Sequence, residues 1–196
     1  MYINYDELPK KQQDLIVVAR GLFSKHGTRR VTIEEICKKA GISKMTFYKY
    51  FSNKWDIAGT VLDIIVGEVV TAYNQMVEEN IPFEQKVEKM LKLNREQVNA
   101  FGAAFINDLL ADESPLREKF IGQQIKSKEM TIEFFKKAQK EGHIRRDIEM
   151  PFLLFMLNRL YELLNHPEFV QIAPDVEDRI DRLSKMFFHG FARTPK

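Results

Sequence analysis

Apolar residues recur at three- and four-residue intervals along almost the whole chain, and strand-like alternation is never sustained. Punctuation is sparse: no proline stands between Pro9 and Pro82, and Gly27 and Gly41 fall at breaks between apolar-periodic segments. The spacing predicts a first helix from about Lys10 to His26, with Leu15, Val18, Ala19, Leu22, Phe23 and His26 on one buried stripe and Gly27 closing it in the left-handed region. A second helix opens at Thr32, where Thr32 and Glu35 have the spacing of a capping box and Val31 and Ile36 that of a hydrophobic staple. Its inner face is Ile33, Ile36, Cys37 and Ala40, and Gly41 ends it. A short third helix starts at Ser43, a good N-cap residue, and runs to about Tyr50. A fourth, of about 26 residues, begins at Asn53 and is long enough, at roughly 39 Å, to leave a small head and enter a larger body.

Further amphipathic segments follow. One lies near Phe83–Phe101 and is broken at Gly102. Another runs from Phe105 to about Asp112, and Ser114-Pro115 is expected to open a helix that Gly142 closes. Pro151 opens a segment rich in Phe and Leu that ends before Pro167. The last, from about Asp175, sets Val176, Ile180, Leu183, Phe187 and Phe191 against Glu177, Asp178, Asp181, Arg182 and Lys185. The expected fold is all-α: a three-helix helix-turn-helix head (1–54), joined by a long helix to a helical ligand-binding and dimerisation body (55–196).

Composition narrows the function. In 196 residues, 44% are hydrophobic and 30% charged, which is ordinary for a globular chain. No window approaches the apolar run of a membrane span, and the acidic start Met1-Tyr-Ile-Asn-Tyr-Asp-Glu does not read as a signal peptide. Cys37 is the single cysteine, so no internal disulfide or cysteine zinc cluster is possible, and a reducing cytoplasm is expected. The net charge of +2 hides an asymmetry: residues 1–55 hold 11 Lys and Arg against 5 Asp and Glu, a net of +6, which leaves −4 for the remainder. A basic head on an acidic body suits a partner that is a polyanion.

The turn Ala40-Gly41-Ile42 between two short helices makes a helix-turn-helix pattern. Ile33, Ile36, Cys37, Ala40, Ile42, Phe47 and Phe51 can pack against the first helix. That leaves Ser43, Lys44, Thr46, Tyr48, Lys49 and Tyr50 on the outer face of the third. The segment Lys38–Lys54 contains five lysines and no acid. Such a face can enter a DNA major groove N-terminus first, with its free amides toward phosphate. Ordinary surface or core packing is the competing reading for Tyr48 and Tyr50, and a solvated charge pair for Arg29 and Arg30.

The stretch Gly41-Ile42-Ser43-Lys44-Met45-Thr46-Phe47-Tyr48-Lys49-Tyr50-Phe51-Ser52-Asn53-Lys54 resembles the recognition-helix signature of TetR-family transcriptional regulators. Ala19–Gly27 and Val31–Ile36 are similar to the first two helices of that family, so the resemblance covers about residues 10–57. It implies a homodimeric repressor of a double-stranded DNA operator, released when a small molecule enters the body. It further implies that Thr32 holds a phosphate, that Ser43 and Lys44 sit at the mouth of the groove, and that Thr46, Tyr48 and Lys49 face bases. Tyr50 and Lys54 then touch further phosphates. Met45 departs from the Gly, Pro or Ala of many relatives; it can meet a thymine methyl or push the helix outward.

In the body, hydrophobic core is the reading for most of the phenylalanines, but Phe101, Phe105, Phe134 and Phe155, with Met130 and Met156, can line an adaptable cavity, and Asn158 and Arg159 can orient a ligand or face the dimer seam. The last two long helices are the expected dimer seam, with Leu153, Leu157, Leu164, Leu183 and Phe187 on their apolar faces. None of the four histidines has a partner at metal-ligand spacing, and no phosphate-binding loop, nucleophile elbow or catalytic constellation is present, so neither metal, cofactor nor enzymatic activity is expected. Two rivals stay open. One is a nucleoid, division or constitutive regulatory factor of the same fold without an effector. The other is an enzyme carrying an accessory helix-turn-helix.

Overall fold

A computed structural model of the chain describes residues 5–191, with side chains through Phe187. The expected place of Phe191 on the last apolar face, like the first four residues, lies outside the described side chains. Every regular element among the described residues is helical. After a 3-10 turn at Tyr5–Glu7 come α1 (Lys10–His26), α2 (Ile33–Ala40), α3 (Lys44–Tyr50), α4 (Lys54–Glu78), α5 (Phe83–Phe101), α6 (Ala103–Leu110), α7 (Arg117–Glu141), α8 (Met150–Leu164), α9 (Pro167–Ile172) and α10 (Val176–Phe191).

The chain forms two compact units, one of residues 1–71 and 96–125 and the other of 72–95 and 126–196. The boundaries fall inside α4, α5 and α7, each of which is continuous through them.

The first unit is built on the short helices. Leu15, Ala19 and Phe23 of α1, Ile36 of α2, and Phe47 and Phe51 are at most 2% exposed, because their helical phase points them at one another. The core does not stop at the three-helix head. It continues through Ile57, Val61 and Leu62 of α4 into Phe101, Phe105 and Phe120. The Phe23 and Phe105 rings lie 5.5 Å apart, and Phe101 meets Phe120 edge-on at 5.5 Å. Two glycines allow α1 and α6 this approach. Gly102 has φ of +71°, and a Cβ there would strike the backbone carbonyl of Ser24. Gly27 has φ of +78°, and a Cβ there would strike the Asp108 carboxylate. Gly27 pairs that positive φ with ψ of 162°, so it is extended rather than in the expected left-handed helical well. Arg20 of α1 holds Glu68 of α4 through two bonds of 2.8 Å, and Lys119 holds Asp63 at 2.6 Å.

The second unit packs Met76, Val87, Leu91, Phe134, Phe135 and Ile144 with Leu153, Leu157, Leu160, Leu164, Ile180, Leu183 and Phe187. One buried cation organises its far end. Arg179, 5% exposed, donates to the carbonyls of Leu164 (2.8 Å), Ala173 (2.6 Å) and Pro174 (2.8 Å), satisfying acceptors orphaned at the ends of α8 and α9. The six-residue α9 lies in a stretch where sequence periodicity predicts no helix. The helix expected to open at Ser114-Pro115 begins instead at Arg117. Ser114 and Pro115 form the preceding turn, in which the Arg117 N–H donates to the Ser114 carbonyl at 3.1 Å.

Candidate nucleic-acid interface

The turn between α2 and α3 is fixed by two caps and a glycine. Thr32 Oγ1 accepts the Glu35 N–H at 3.1 Å, the first half of the expected capping box. Glu35's own carboxylate pairs at 3.7 Å with Lys39, one turn on. Gly41 takes φ 66° and ψ 29°, the left-handed conformation in which its N–H can close α2 on the Cys37 and Lys38 carbonyls. Ser43 Oγ then accepts the Thr46 N–H at 3.2 Å and lies 3.0 Å from Thr46 Oγ1. With Phe47 and Phe51 inside, α3 has one orientation only, and its outer face is set by phase.

That face is polar, basic and accessible. Met45 is 73% exposed and Tyr48 is 56% exposed, so neither phenol nor thioether serves the core of this unit. Ser43, Lys44 and Lys49 are also exposed, while Thr46 and Tyr50 are half-buried. Tyr50 packs partly on the core, which limits it to the rim of the face. Thr32 is exposed at the N-terminus of α2.

Three cations are already engaged. Lys44 is ion-paired with Glu34 of α2. The hydrogen bond from Lys44 holds the Glu34 carboxyl below the usual carboxylate range, and Glu34 in turn raises the Lys44 ammonium. Lys54 Nζ donates to the carbonyls of Arg29 (3.0 Å) and Val31 (2.8 Å), bracing the loop that precedes Thr32, and burial pulls its pKa down. Arg29 donates its backbone N–H to Asp108 at 2.8 Å, and its guanidinium pairs with Glu113. Lysine and arginine counts alone do not reveal these couplings, because each partner is distant in sequence or on the neighbouring helix. Cys37 is a buried core residue whose thiol is pushed up by desolvation and by Glu34.

The residues named as a ligand cavity are divided between the two units. Phe101 and Phe105 are core residues of the first unit. In the second unit, Phe134 is buried, and Tyr73 joins it edge-on at 6.4 Å while donating its hydroxyl to the Met130 carbonyl at 2.9 Å. Phe155 is 54% exposed, with the Arg159 guanidinium 5.2 Å from its ring centre, and Asn158 is exposed beside it. Met156 is half-buried. The expected dimer seam is also corrected. Leu153, Leu157, Leu164, Leu183 and Phe187 are at most 4% exposed inside the protomer's own core. The apolar stripe left outward on α8 is Phe152, Phe155 and Leu163, with Met186 exposed on α10.

A capped, buried-faced helix pair that presents an acid-free helix to solvent is the construction of a helix-turn-helix DNA-binding protein. Residues 15–60 match the family model described as bacterial regulatory proteins, tetR family. The chain is 22% identical over 151 residues to the HTH-type transcriptional repressor KstR2 of Rhodococcus jostii (strain RHA1), covering 71% of each chain. It is 22% identical over 166 residues to the probable acrEF/envCD operon repressor of Escherichia coli (strain K12), covering 78% of this chain and 73% of that one. The fatty acid degradation regulator FadR from Bacillus halodurans shares the fold, with a TM-score of 0.74 at 17% identity over 94% of this chain and 97% of its own. Residues 15–60 thus carry the helix-turn-helix of the tetR-family model, and the chain as a whole is similar to TetR-type transcriptional regulators. No helix among the described residues is long and apolar enough to cross a membrane.

Proposed function

We propose that the chain acts as a homodimeric repressor that reads a pseudo-palindromic operator through Ser43, Lys44, Met45, Thr46, Tyr48 and Lys49, and leaves it when a small molecule occupies the body. Thr32, Tyr50 and Lys54 serve the phosphate backbone, Lys54 chiefly by holding the Arg29–Val31 carbonyls so that the N-terminus of α2 stays aimed outward. The observation that carries this reading is the exposure of Met45 and Tyr48 on a short, doubly capped helix free of acids. Both are more than half exposed, and both suit base edges: a thioether for a thymine methyl, a phenol for a donor or acceptor.

Dimerisation through the outward stripe of α8 and Met186 buries side chains that water otherwise meets. Reading a pseudo-palindrome requires a twofold pair whose two α3 helices stand about 34–36 Å apart, one groove repeat. The interlock of Gly102 on Ser24 and of Asp108 on Gly27 and Arg29 supports a route by which displacement of α6 moves α1 and the α1–α2 loop. Release follows if an effector binds better to the displaced state, and a tenfold drop in operator affinity needs about 1.4 kcal/mol of such preference.

The test is a footprint of the purified chain on DNA beside its own gene, repeated with candidate effectors. A symmetric footprint, lost on addition of one compound, supports the reading. A footprint that no compound shifts favours the effector-free factor. Absence of binding to any duplex at low salt defeats both.

A further inference from the structure

The second unit holds a cavity of about 280 Å³ at the turn between α4 and α5, lined by Val77, Ile81, Phe83, Phe134, Ala138 and His143, with Lys86, Lys137, Asn80 and Glu141 at its edges. We infer that this cavity binds a small monocarboxylate with a flat hydrophobic body. Three features define that class.

The first is the wall. Phe83 lies near-parallel to His143 (centroids 5.1 Å apart, 10° between planes) and to Phe134 (5.6 Å, 23°). Gly142, with φ of +84°, turns the chain so that His143 can join this stack. The stacked rings make one aromatic wall of the cavity, against which an aromatic occupant can pack edge to face. Val77 and Ala138 add apolar surface beside the rings.

The second is the charge. Two ammonium groups, Lys86 and Lys137, face a single carboxylate, Glu141. Lys86 Nζ is held by the Val77 carbonyl at 2.5 Å, so it is fixed in place while keeping donors to spare. Lys137 reaches Glu141 only at 3.8 Å, and Glu141 is shared with His143 at 3.6 Å. Loose pairs of this kind are readily exchanged for a ligand carboxylate, which fills the deficit of negative charge.

The third is size. The volume is at the lower end of small-molecule sites, which selects an occupant of about a dozen heavy atoms.

The consequence of occupancy for operator release rests on the repressor reading above, but binding itself does not. The experiment uses the full chain without DNA and 2-naphthoate as the probe, followed by calorimetry and by side-chain NMR shifts. Saturable binding at about 1 mM or tighter is expected, with shifts centred on Phe83, Phe134 and His143. The neutral isostere 2-naphthamide should bind about tenfold more weakly, and so should naphthoate to Lys137→Glu, whose side chain is solvent-exposed. His143→Ala should weaken binding severalfold. Failure to saturate, equal affinity for acid and amide, full affinity in Lys137→Glu, or shifts centred on another region would each overturn the assignment. A parallel titration against operator DNA tests the repressor reading separately: naphthoate bound at this site with no change in DNA affinity leaves the site standing and removes only its link to release.

Discussion

The Lys44 ammonium at the start of α3 is ion-paired with the Glu34 carboxylate in the first turn of α2. An acid beside the proposed DNA-reading face thus occupies a cation of that face. In the proposed DNA complex, Lys44 exchanges this carboxylate for a phosphate oxygen. Exposed charges of this kind contribute little to stability, so the pair acts mainly on affinity.

Replacing Glu34 with Gln should therefore tighten binding to random duplex DNA by about threefold at low salt and steepen the salt dependence by roughly 0.9 log units per log of salt, one further phosphate. The operator should gain less in proportion, so the ratio of specific to random binding falls. Anisotropy titrations at several salt concentrations read both quantities. The sign with pH agrees: with its pKa lowered by Lys44, Glu34 stays ionised through the neutral range, and Lys44 is released only as pH falls below the ordinary carboxylate values.

The three positive-φ glycines Gly41, Gly27 and Gly102 make a graded test of the interlock in the first unit. Gly27 (ψ 162°) and Gly102 (ψ 146°) hold an extended positive-φ conformation that costs a side chain more than the left-handed helical well of Gly41, where the cost is about 1 kcal/mol. At Gly41 nothing lies within 4 Å of the new Cβ, so that cost stands alone. At Gly102 the Cβ meets the Ser24 backbone and Oγ (2.5 Å), and at Gly27 it meets the Ala104 carbonyl (3.2 Å) and Asp108. Gly102→Ala should lose about 3 kcal/mol or more in denaturant unfolding, Gly27→Ala somewhat less because a carboxylate can turn aside, and Gly41→Ala least. Equal losses at all three positions would remove the close approach of α1 and α6 as their cause.

Alkaline pH tests the interior of the second unit. Burial pushes the Tyr73 hydroxyl up to about 12, and Tyr161 is pushed further the same way, with the Tyr73 charge adding to its burial. An unfolded tyrosine ionises near 10. Both groups thus favour the fold below pH 10, and stability falls as pH rises from 10 toward 12, where the unfolded chain ionises and the folded one does not. The melting temperature should decline across that interval, and Tyr73→Phe should flatten part of the decline. The phenolate absorbance of Tyr73 and Tyr161, read as the difference between the protein and its Tyr73→Phe and Tyr161→Phe variants, should appear together with unfolding. A phenolate signal at pH 10 in either difference, with the fold intact, would contradict the burial of that group.

The head is legible in sequence because its signals are local. Thr32, Gly41 and Ser43 act within four residues of themselves, and the three-four spacing of Leu15, Ala19, Leu22 and Phe23 states which face turns inward. The body is legible only as helices. Leu153, Leu157 and Phe187 lie on apolar faces, but periodicity does not say whether such a face meets its own chain or another; the structure spends them on its own core. Phe101 and Phe105 read equally as cavity or core, since only the distant Phe23 decides between the two. Arg179 gives no local signal at all, because its three carbonyl partners become close only once α8, α9 and α10 have packed.

Lys54 and Tyr48 separate support of the backbone contacts from reading of the bases. Lys54 Nζ is bonded to the carbonyls of Arg29 and Val31, one residue before the Thr32 cap, so its loss loosens the α1–α2 loop and with it the α2 amides proposed to meet phosphate. Those contacts carry no sequence information. Lys54→Met should weaken operator and random DNA by the same factor, and Lys54→Arg should restore little, since a forked guanidinium does not replace one ammonium between two carbonyls. Tyr48, exposed and directed away from the core, has a different signature. Tyr48→Phe keeps the ring and removes one hydroxyl, which should cost the operator about 1–3 kcal/mol and leave random DNA nearly unchanged. Competition titrations with both duplexes, run on both variants, give the two ratios. A Tyr48→Phe protein that loses both affinities equally would move Tyr48 to the backbone, and a Lys54→Met protein that loses only the operator would place that lysine among the base-reading groups.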